Sequence, residues 1–376
     1  MDTKKTLAAR KGSLTLANFT PRRGGHCESS ALLNALDFLG YGLSEADIVG
    51  GGAAPSFLFT EDSFPFLGSR NERMRETFLA AANIPYRVVV PEKGKEDWTD
   101  ICALLERGIP VVLRVDMRYL PYLYGGRRGP AYMSFGWHWV CLAGLDFDAR
   151  EALVTDTGHE GLQRIRLSDL DAARFSATRV YPPRGEYAWA EPRPADWRLD
   201  PDALAEAGLS GLLANYQGEG GWEAGGGAKG AGRLEGLEGL ALLPERLKGL
   251  GRGLNVHALA PAYRYIAASI ERNGTGGGAF RLLFSRFLEA RAEDCRDGGL
   301  REACAGLVPK AQAAAQAWTA LAARLDAGSA RIESARGPVA LRTAASGTGD
   351  EAAEAARAVC AAESDLQQAL AARDRR

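Results

Sequence analysis

Apolar residues recur at helical spacing over residues 27–39, where Ala31, Leu32, Ala35, Leu36 and Leu39 mark one face and Gly40 supplies a stop. Ser44 and Asp47 fit the S-x-x-D capping pattern, so a short second helix is expected there. Residues 71–82 predict a third helix. Residues 86–90 are rich in β-branched side chains and end at Pro91, which reads as a strand. The stretch 95–106 is amphipathic, with Trp98, Ile101, Leu104 and Leu105 on one side. Strands are expected over 109–115, 137–145 and 152–155. A loop rich in Tyr, Gly and Pro precedes the second of these, and a turn at Asp146-Phe147-Asp148 joins the last two. Residues 178–181 are expected to close the sheet.

From Pro182 the pattern changes. Pro182, Pro183, Pro192, Pro194 and Pro201 disfavour a continuous helix or a central strand, and mark a linker. Residues 217–232 carry eight glycines and little that builds a core, so they read as a flexible insert. Helical patterns follow at 234–250, 259–272, 280–291 and 300–325, and residues 311–376 are rich in alanine, the strongest helix former. The fold class is therefore α+β. A mixed domain over 1–185 precedes an all-α helical domain over 186–376.

Composition narrows the function. With Lys+Arg 46 against Asp+Glu 47, a net charge of -1 excludes the broad basic field of a non-specific nucleic-acid binder. The apolar runs fall far short of the roughly 20 residues of a membrane span. The first residues are charged and lack an apolar core, so no secretory signal is read. The six cysteines are sparse and form no CxxC pair, which favours reduced thiols in a cytoplasmic protein over disulfides. No paired Cys/His spacing suggests a metal site. Of four histidines, His26, His138 and His159 fall in the first half.

Chemistry concentrates around one cysteine. Gly24-Gly25-His26-Cys27-Glu28-Ser29-Ser30 places Cys27 where a glycine loop enters a helix. The first helical amides lack partners and the helix N-terminus carries partial positive charge, so a thiolate is favoured there. The Cys27 N–H is also free to hold an oxyanion. A small apolar residue packing a helix start is the other reading. In Gly136-Trp137-His138-Trp139-Val140-Cys141-Leu142, a single histidine sits in an apolar strand. Alternation puts it on the face of Val140 and Leu142, opposite Trp137, Trp139 and Cys141. A general base needs a third group to orient its ring. Asp156, at the end of the next strand, falls close to level with His138 or just beyond it in a regular hairpin. A structural histidine and a strand-end turn residue are the plainer readings of these two. In chain order, cysteine, histidine and acid form a papain-like set of nucleophile, base and orienter.

Gly25-His26-Cys27-Glu28-Ser29-Ser30-Ala31-Leu32, Gly40-Tyr41-Gly42-Leu43-Ser44-Glu45 and Gly50-Gly51-Gly52-Ala53-Ala54-Pro55-Ser56-Phe57 resemble the N-terminal domain of the butirosin-biosynthesis acyltransferase family. Glu271-Arg272-Asn273-Gly274-Thr275-Gly276-Gly277-Gly278-Ala279-Phe280-Arg281 is similar to the helical domain that follows it in many members. The family resembles papain-like, bacteriocin-peptidase-type cysteine enzymes. Its named member moves an aminoacyl group from an acyl carrier protein thioester to an aminoglycoside amine. The resemblance implies Cys27 as nucleophile, His138 as base and Asp156 as orienting acid. It implies an acyl-phosphopantetheine or coenzyme A thioester as donor, a small-molecule amine as acceptor, an acyl carrier protein as partner and no tightly bound cofactor. Gly25, His26, Glu28, Ser56 and Phe57 are the substrate-binding candidates from the matched motifs. Tyr124 joins them from the aromatic loop, Trp137 from beside the base, and Arg281 from the Gly-rich run opening a helix.

The glutamine that such peptidases carry a few residues before the cysteine has no counterpart, because Pro21, Arg22 and Arg23 occupy that region. Losing one oxyanion donor costs about 10²–10³ in rate, which an amide tolerates less well than an activated thioester. The balance falls on acyl transfer. A cysteine peptidase or amidase is the rival enzyme, and a non-catalytic binding module is the third reading. An N-terminal-nucleophile hydrolase would discard the residues before Cys27, including Leu14, Leu16 and Phe19. The Gly-rich runs lack the spacing of nucleotide-binding loops.

Overall fold

A computed structural model describes residues 10–61, 64–92, 98–178, 181–219 and 233–373. In chain order, β1 (Ser13–Thr15) precedes α1 (Cys27–Phe38), α2 (Glu45–Gly51), β2 (Pro55–Thr60), β3 (Phe66–Arg70) and α3 (Met74–Ala81). Next come β4 (Tyr86–Val89), α4 (Trp98–Glu106) and β5 (Val111–Val115). A loop with three short 3₁₀ turns leads to β6 (His138–Asp146), β7 (Glu151–Thr155), β8 (Gln163–Arg166), α5 (Leu167–Arg174) and β9 (Tyr187–Ala190). The remainder holds α6 (Pro201–Tyr216), β10 (Leu234–Glu235), α7 (Gly236–Ala241), α8 (Leu243–Gly253), α9 (Val256–Glu271), α10 (Arg281–Asp294), α11 (Gly298–Ser334) and α12 (Pro338–Arg373). The α+β class is borne out. No helix among the described residues is long and apolar enough to cross a membrane.

The chain divides into two compact units, Met1–Glu45 with Asn83–Arg198, and Ala46–Ala82 with Leu199–Arg376. A single boundary near residue 185 was expected. Instead, the first unit runs on to Arg198 because β9 lies inside its sheet, and residues 46–82 belong to the second unit.

The first unit is built on a seven-stranded antiparallel sheet in the order β4-β9-β5-β6-β7-β8, with β1 paired to β6. Alternation sorts its side chains into two layers. Leu113, Val115, Val140, Leu142, Ala152 and Val154 face Trp98, Ile101, Leu104 and Leu105 of α4, with Leu170 and Ala173 of α5. Val112, Trp139, Cys141 and Ala188 face the other way, onto Ala31 and Ala35 of α1. The small alanines let α1 lie close to the sheet, and residues Glu28 through Leu36 are all buried. The β6–β7 ladder is interrupted once. Gly144 pairs with Leu153, but Leu142 pairs with Val154, leaving Ala143 as an extra residue in β6.

The strand expected over 178–181 is absent at Thr178 and Tyr181, and residues 179–180 lie outside the described residues. Tyr181 takes a left-handed backbone, φ 52, and the prolines after it have no N–H for a ladder. β9 takes that place in the sheet. The paired β1 also makes the residues before Cys27 an integral part of the sheet, which argues against cleavage behind His26.

The second unit is not all-α. A three-stranded sheet, β10-β2-β3, sets Phe57, Phe59 and Leu67 into one core with Tyr263, Ile266 and Ile270 of α9, Trp318, Leu321 and Leu325 of α11, and Ala356 and Val359 of α12. The Gly-rich insert expected over 217–232 lies outside the described residues from 220 onward.

Candidate active site

The loop before α1 is gripped by one carboxylate. Glu45 accepts the Gly25 N–H at 2.7 Å, the His26 N–H at 3.0 Å and the Ser29 hydroxyl at 2.7 Å. Gly24 is required, because a Cβ there would lie 2.6 Å from that of Ser30. His26 is the N-cap, with extended backbone at φ -135 and ψ 142, and its Nδ1 accepts the Ser29 N–H at 3.3 Å. Cys27 is thus the first helical residue and is half-buried. Its Sγ lies 4.0 Å from the Trp137 carbonyl and 3.9 Å from His26 Nε2. His26 stands outside the helix, so the rule that adjacent helical side chains diverge does not apply to this pair.

His138 opens β6, opposite Val115 of β5. Arg114 donates to the Gly136 carbonyl at 3.0 Å and lies over the Trp137 ring, which fixes the approach to the strand. The last β6–β7 pair is Cys141 with Thr155. Continued one residue, that register sets Asp156 opposite Val140, short of the level of His138 and diagonal to it on the same face. His138 Nε2 and Asp156 Oδ1 are 2.8 Å apart. Asp156 Oδ1 also accepts the Thr157 N–H at 2.6 Å, and Oδ2 accepts the Tyr122 hydroxyl at 2.8 Å. With Nε2 committed to Asp156, Nδ1 is the ring nitrogen left to interact with Cys27, whose sulfur helps hold the ring in its charged form.

Burial works against a charged His138. The Asp156 carboxylate, its hydrogen bond and the Cys27 contact together outweigh burial and push the imidazole up to about 10. Burial likewise disfavours a charged Asp156, but His138, Tyr122 and the Thr157 amide hold its carboxyl below the ordinary range. At neutral pH the ring is therefore an imidazolium against a carboxylate, with the sulfur on its other side. The remaining cysteines contrast with this setting. Burial raises Cys102 and Cys141, and pushes Cys295 up to about 12 and Cys304 and Cys360 up to about 11. All six cysteines are free.

His26 and the Trp137 carbonyl lie beside the Cys27 sulfur, and Gly25 and Glu28 are near it along the chain. Tyr124 packs its ring on Gly129, and its buried hydroxyl has no hydrogen-bond partner among the described residues. The loop member that touches Asp156 is Tyr122, whose ring also meets His159 edge-on at 5.5 Å. The base of that loop is closed by the buried Asp116, which accepts the Arg118 and Phe135 amides and the Ser134 and Ser176 hydroxyls. Nothing in the sequence separates Tyr122 from its neighbours Tyr119 and Tyr124. Glu45 was equally hidden, because its contacts span twenty residues.

Ser56, Phe57 and Arg281 correct the expectation. All three lie in the second unit and are buried. Phe57 packs toward Trp318, ring centroids 6.3 Å apart. Arg281 is 1 % exposed, pairs with Glu363 at 2.7 Å and donates to the carbonyls of Ser56, Ser69 and Ala279. Glu363 also accepts from Trp318 and Tyr216. An arginine enclosed in this way presents no charge to a docking protein. Arg128 lies over the Tyr119 ring at 4.5 Å and pairs with Asp169 at 3.5 Å.

No group of three His, Cys, Asp or Glu side chains that could hold a metal occurs among the described residues. What the first unit offers is a sulfur at a helix start, an imidazole beside it and a clamped carboxylate behind. That set is suited to making and breaking an acyl–sulfur bond. Two family profiles match the chain. One is described as butirosin biosynthesis protein H, N-terminal, over residues 26–157, and the other as a domain of unknown function (DUF4872) over residues 168–370. No curated protein matches.

Proposed function

The chain belongs to the family defined by the N-terminal domain of butirosin biosynthesis protein H joined to that second domain, and on that footing we propose that it is a cysteine-dependent acyltransferase of small-molecule biosynthesis. The observation that supports this reading is the relay of Cys27, His138 and the clamped Asp156. The donor is an acyl thioester on the phosphopantetheine of a carrier protein, or on coenzyme A. The Cys27 sulfur bonds to the thioester carbonyl carbon while the π pair moves to oxygen. Collapse expels the donor sulfur, which takes the proton from His138. The acyl group now sits on Cys27, and His138 is neutral. An amine of the acceptor attacks and gives its proton to His138. The bond to Cys27 then breaks and returns its electron pair to sulfur. One thioester is consumed, one amide is formed, and the starting ion pair is restored. Asp156 keeps the ring in one orientation throughout.

The test is intact-mass measurement after incubation with acyl-coenzyme A and acyl-carrier-protein thioesters, beside Cys27→Ala. A Cys27-dependent adduct discharged by amines faster than by water supports the transferase. Amide cleavage without a transferable adduct replaces it with a hydrolase. Inertness across donors leaves a binding module.

A further inference from the structure

In a cysteine acyl transfer, donors aimed at the tetrahedral oxygen in a water-poor site lower the barrier, and each one lost costs about 10²–10³ in rate. The Cys27 amide is one, since a first-turn N–H has no partner within its own helix. No glutamine precedes the cysteine, and Arg22 in that region is bound to Asn34 by a reciprocal backbone pair at 2.7 and 2.9 Å. Among the described residues, His26 lies beside the sulfur, with its Nε2 at 3.9 Å.

The protonation state of His26 follows from its partners. Nδ1 accepts the Ser29 amide hydrogen, so its lone pair is in use and it carries no proton. The Ser29 hydroxyl spends its single hydrogen on Glu45 at 2.7 Å, not on the ring. The neutral ring therefore holds its hydrogen on Nε2, the atom 3.9 Å from Cys27 Sγ. His26 is 6 % exposed, so this donor acts with little competition from water. Glu45 fixes the His26 amide and, through Ser29, the residue that caps onto Nδ1. The donor is thus held in position before any substrate arrives.

Resting on the reading of Cys27 as an acyl-accepting nucleophile, we propose that His26 Nε2–H is the second oxyanion donor and replaces the absent glutamine. When the sulfur bonds to a carbonyl carbon, the π pair moves onto an oxygen one bond from that carbon. A donor 3.9 Å from the sulfur is within reach of that oxygen. On collapse the pair re-forms the carbonyl, and the leaving group departs with the proton from His138. His26 gives up no proton and remains neutral throughout. The two histidines divide the work: His138 transfers protons, and His26 holds charge.

The experiment compares two reactions of the full chain at Cys27. Acylation by 4-nitrophenyl acetate passes through a tetrahedral oxyanion, whereas alkylation by iodoacetamide does not. The variant is His26→Asn, because asparagine still caps the Ser29 amide while its shorter side chain withdraws the donor. Expected is a loss of about 10²–10³-fold in acylation, with alkylation changed less than about threefold. His26→Gln, which can extend an amide N–H toward the sulfur, should recover part of the loss. Equal losses in both reactions would place His26 on the thiolate instead and overturn the proposal, as would unchanged acylation. A wild-type chain that alkylates at Cys27 but takes no acyl group overturns the transferase reading first, and this one with it.

Discussion

His138 Nε2 and Asp156 Oδ1 stand 2.8 Å apart between side chains that are only 9 % and 1 % exposed. A charge pair so enclosed sets the proton affinity of the ring. Asp156→Asn keeps the shape and removes the charge. The imidazole titration, followed by NMR of the ring protons, should move down from about 10. Cys27 acylation should slow by about 10²-fold or more. A titration left in place would show that Asp156 is not its cause.

The same pair makes stability depend on pH in a stated direction. The folded protein raises His138 above its ordinary value of 6.5 to about 10. Its contribution is therefore complete below 6.5 and is lost as pH rises through about 10, because in between the unfolded chain has released a proton that the native state retains. Unfolding free energies of wild type and His138→Gln, from urea denaturation, should converge as pH is raised from 6 to 10, by at most about 1.4 kcal/mol per pH unit. Divergence over that range would reverse the sign.

Tyr122→Phe removes one of three donors to Asp156 and leaves the ring contact with His159. A hydrogen bond to a buried carboxylate contributes about 1.5–3 kcal/mol. Urea denaturation should register a loss of that order, and Cys27 acylation should slow in the same variant. An unaltered acylation rate would assign Tyr122 to the loop alone.

Arg281 separates framework from docking. Removing one partner of a buried ion pair costs about 3–5 kcal/mol, because the other charge is left uncompensated. Arg281→Ala should destabilise the protein by that amount in urea. A residue that serves a carrier protein from the surface would instead leave stability within about 0.5 kcal/mol.

Much of the first unit was legible because its signals are local. The α1 stripe, the β-branched runs at 86–90 and 109–115, and the pairing of His138 with Asp156 across the hairpin all follow from spacing. The hairpin β2–β3 escaped because Pro55–Thr60 is buried on both faces and shows no alternation. The assignment of that hairpin to the second core was beyond reach for the same reason, since only long-range packing against α9 and α11 reveals it. Arg281 misled because an arginine after a glycine run at a helix start reads as a binding residue, while its partner Glu363 lies eighty-two residues away. Adjacent side chains within a helix diverge, and His26 reaches the Cys27 sulfur because it stands outside the helix as its N-cap.

The extra residue in β6 does more than bend a strand. Had the pairing of Asp146 with Glu151 continued unbroken, Asp156 would stand opposite Cys141, on the side of the sheet that α1 covers. Ala143 shifts the count by one and carries the acid across to the side of His138. The spacing of Leu142 and Leu145, three apart yet in the same core, records that crossing. Acid and base therefore meet through a phase slip in the backbone, and deleting Ala143 would leave both side chains in the chain but on opposite sides of the sheet.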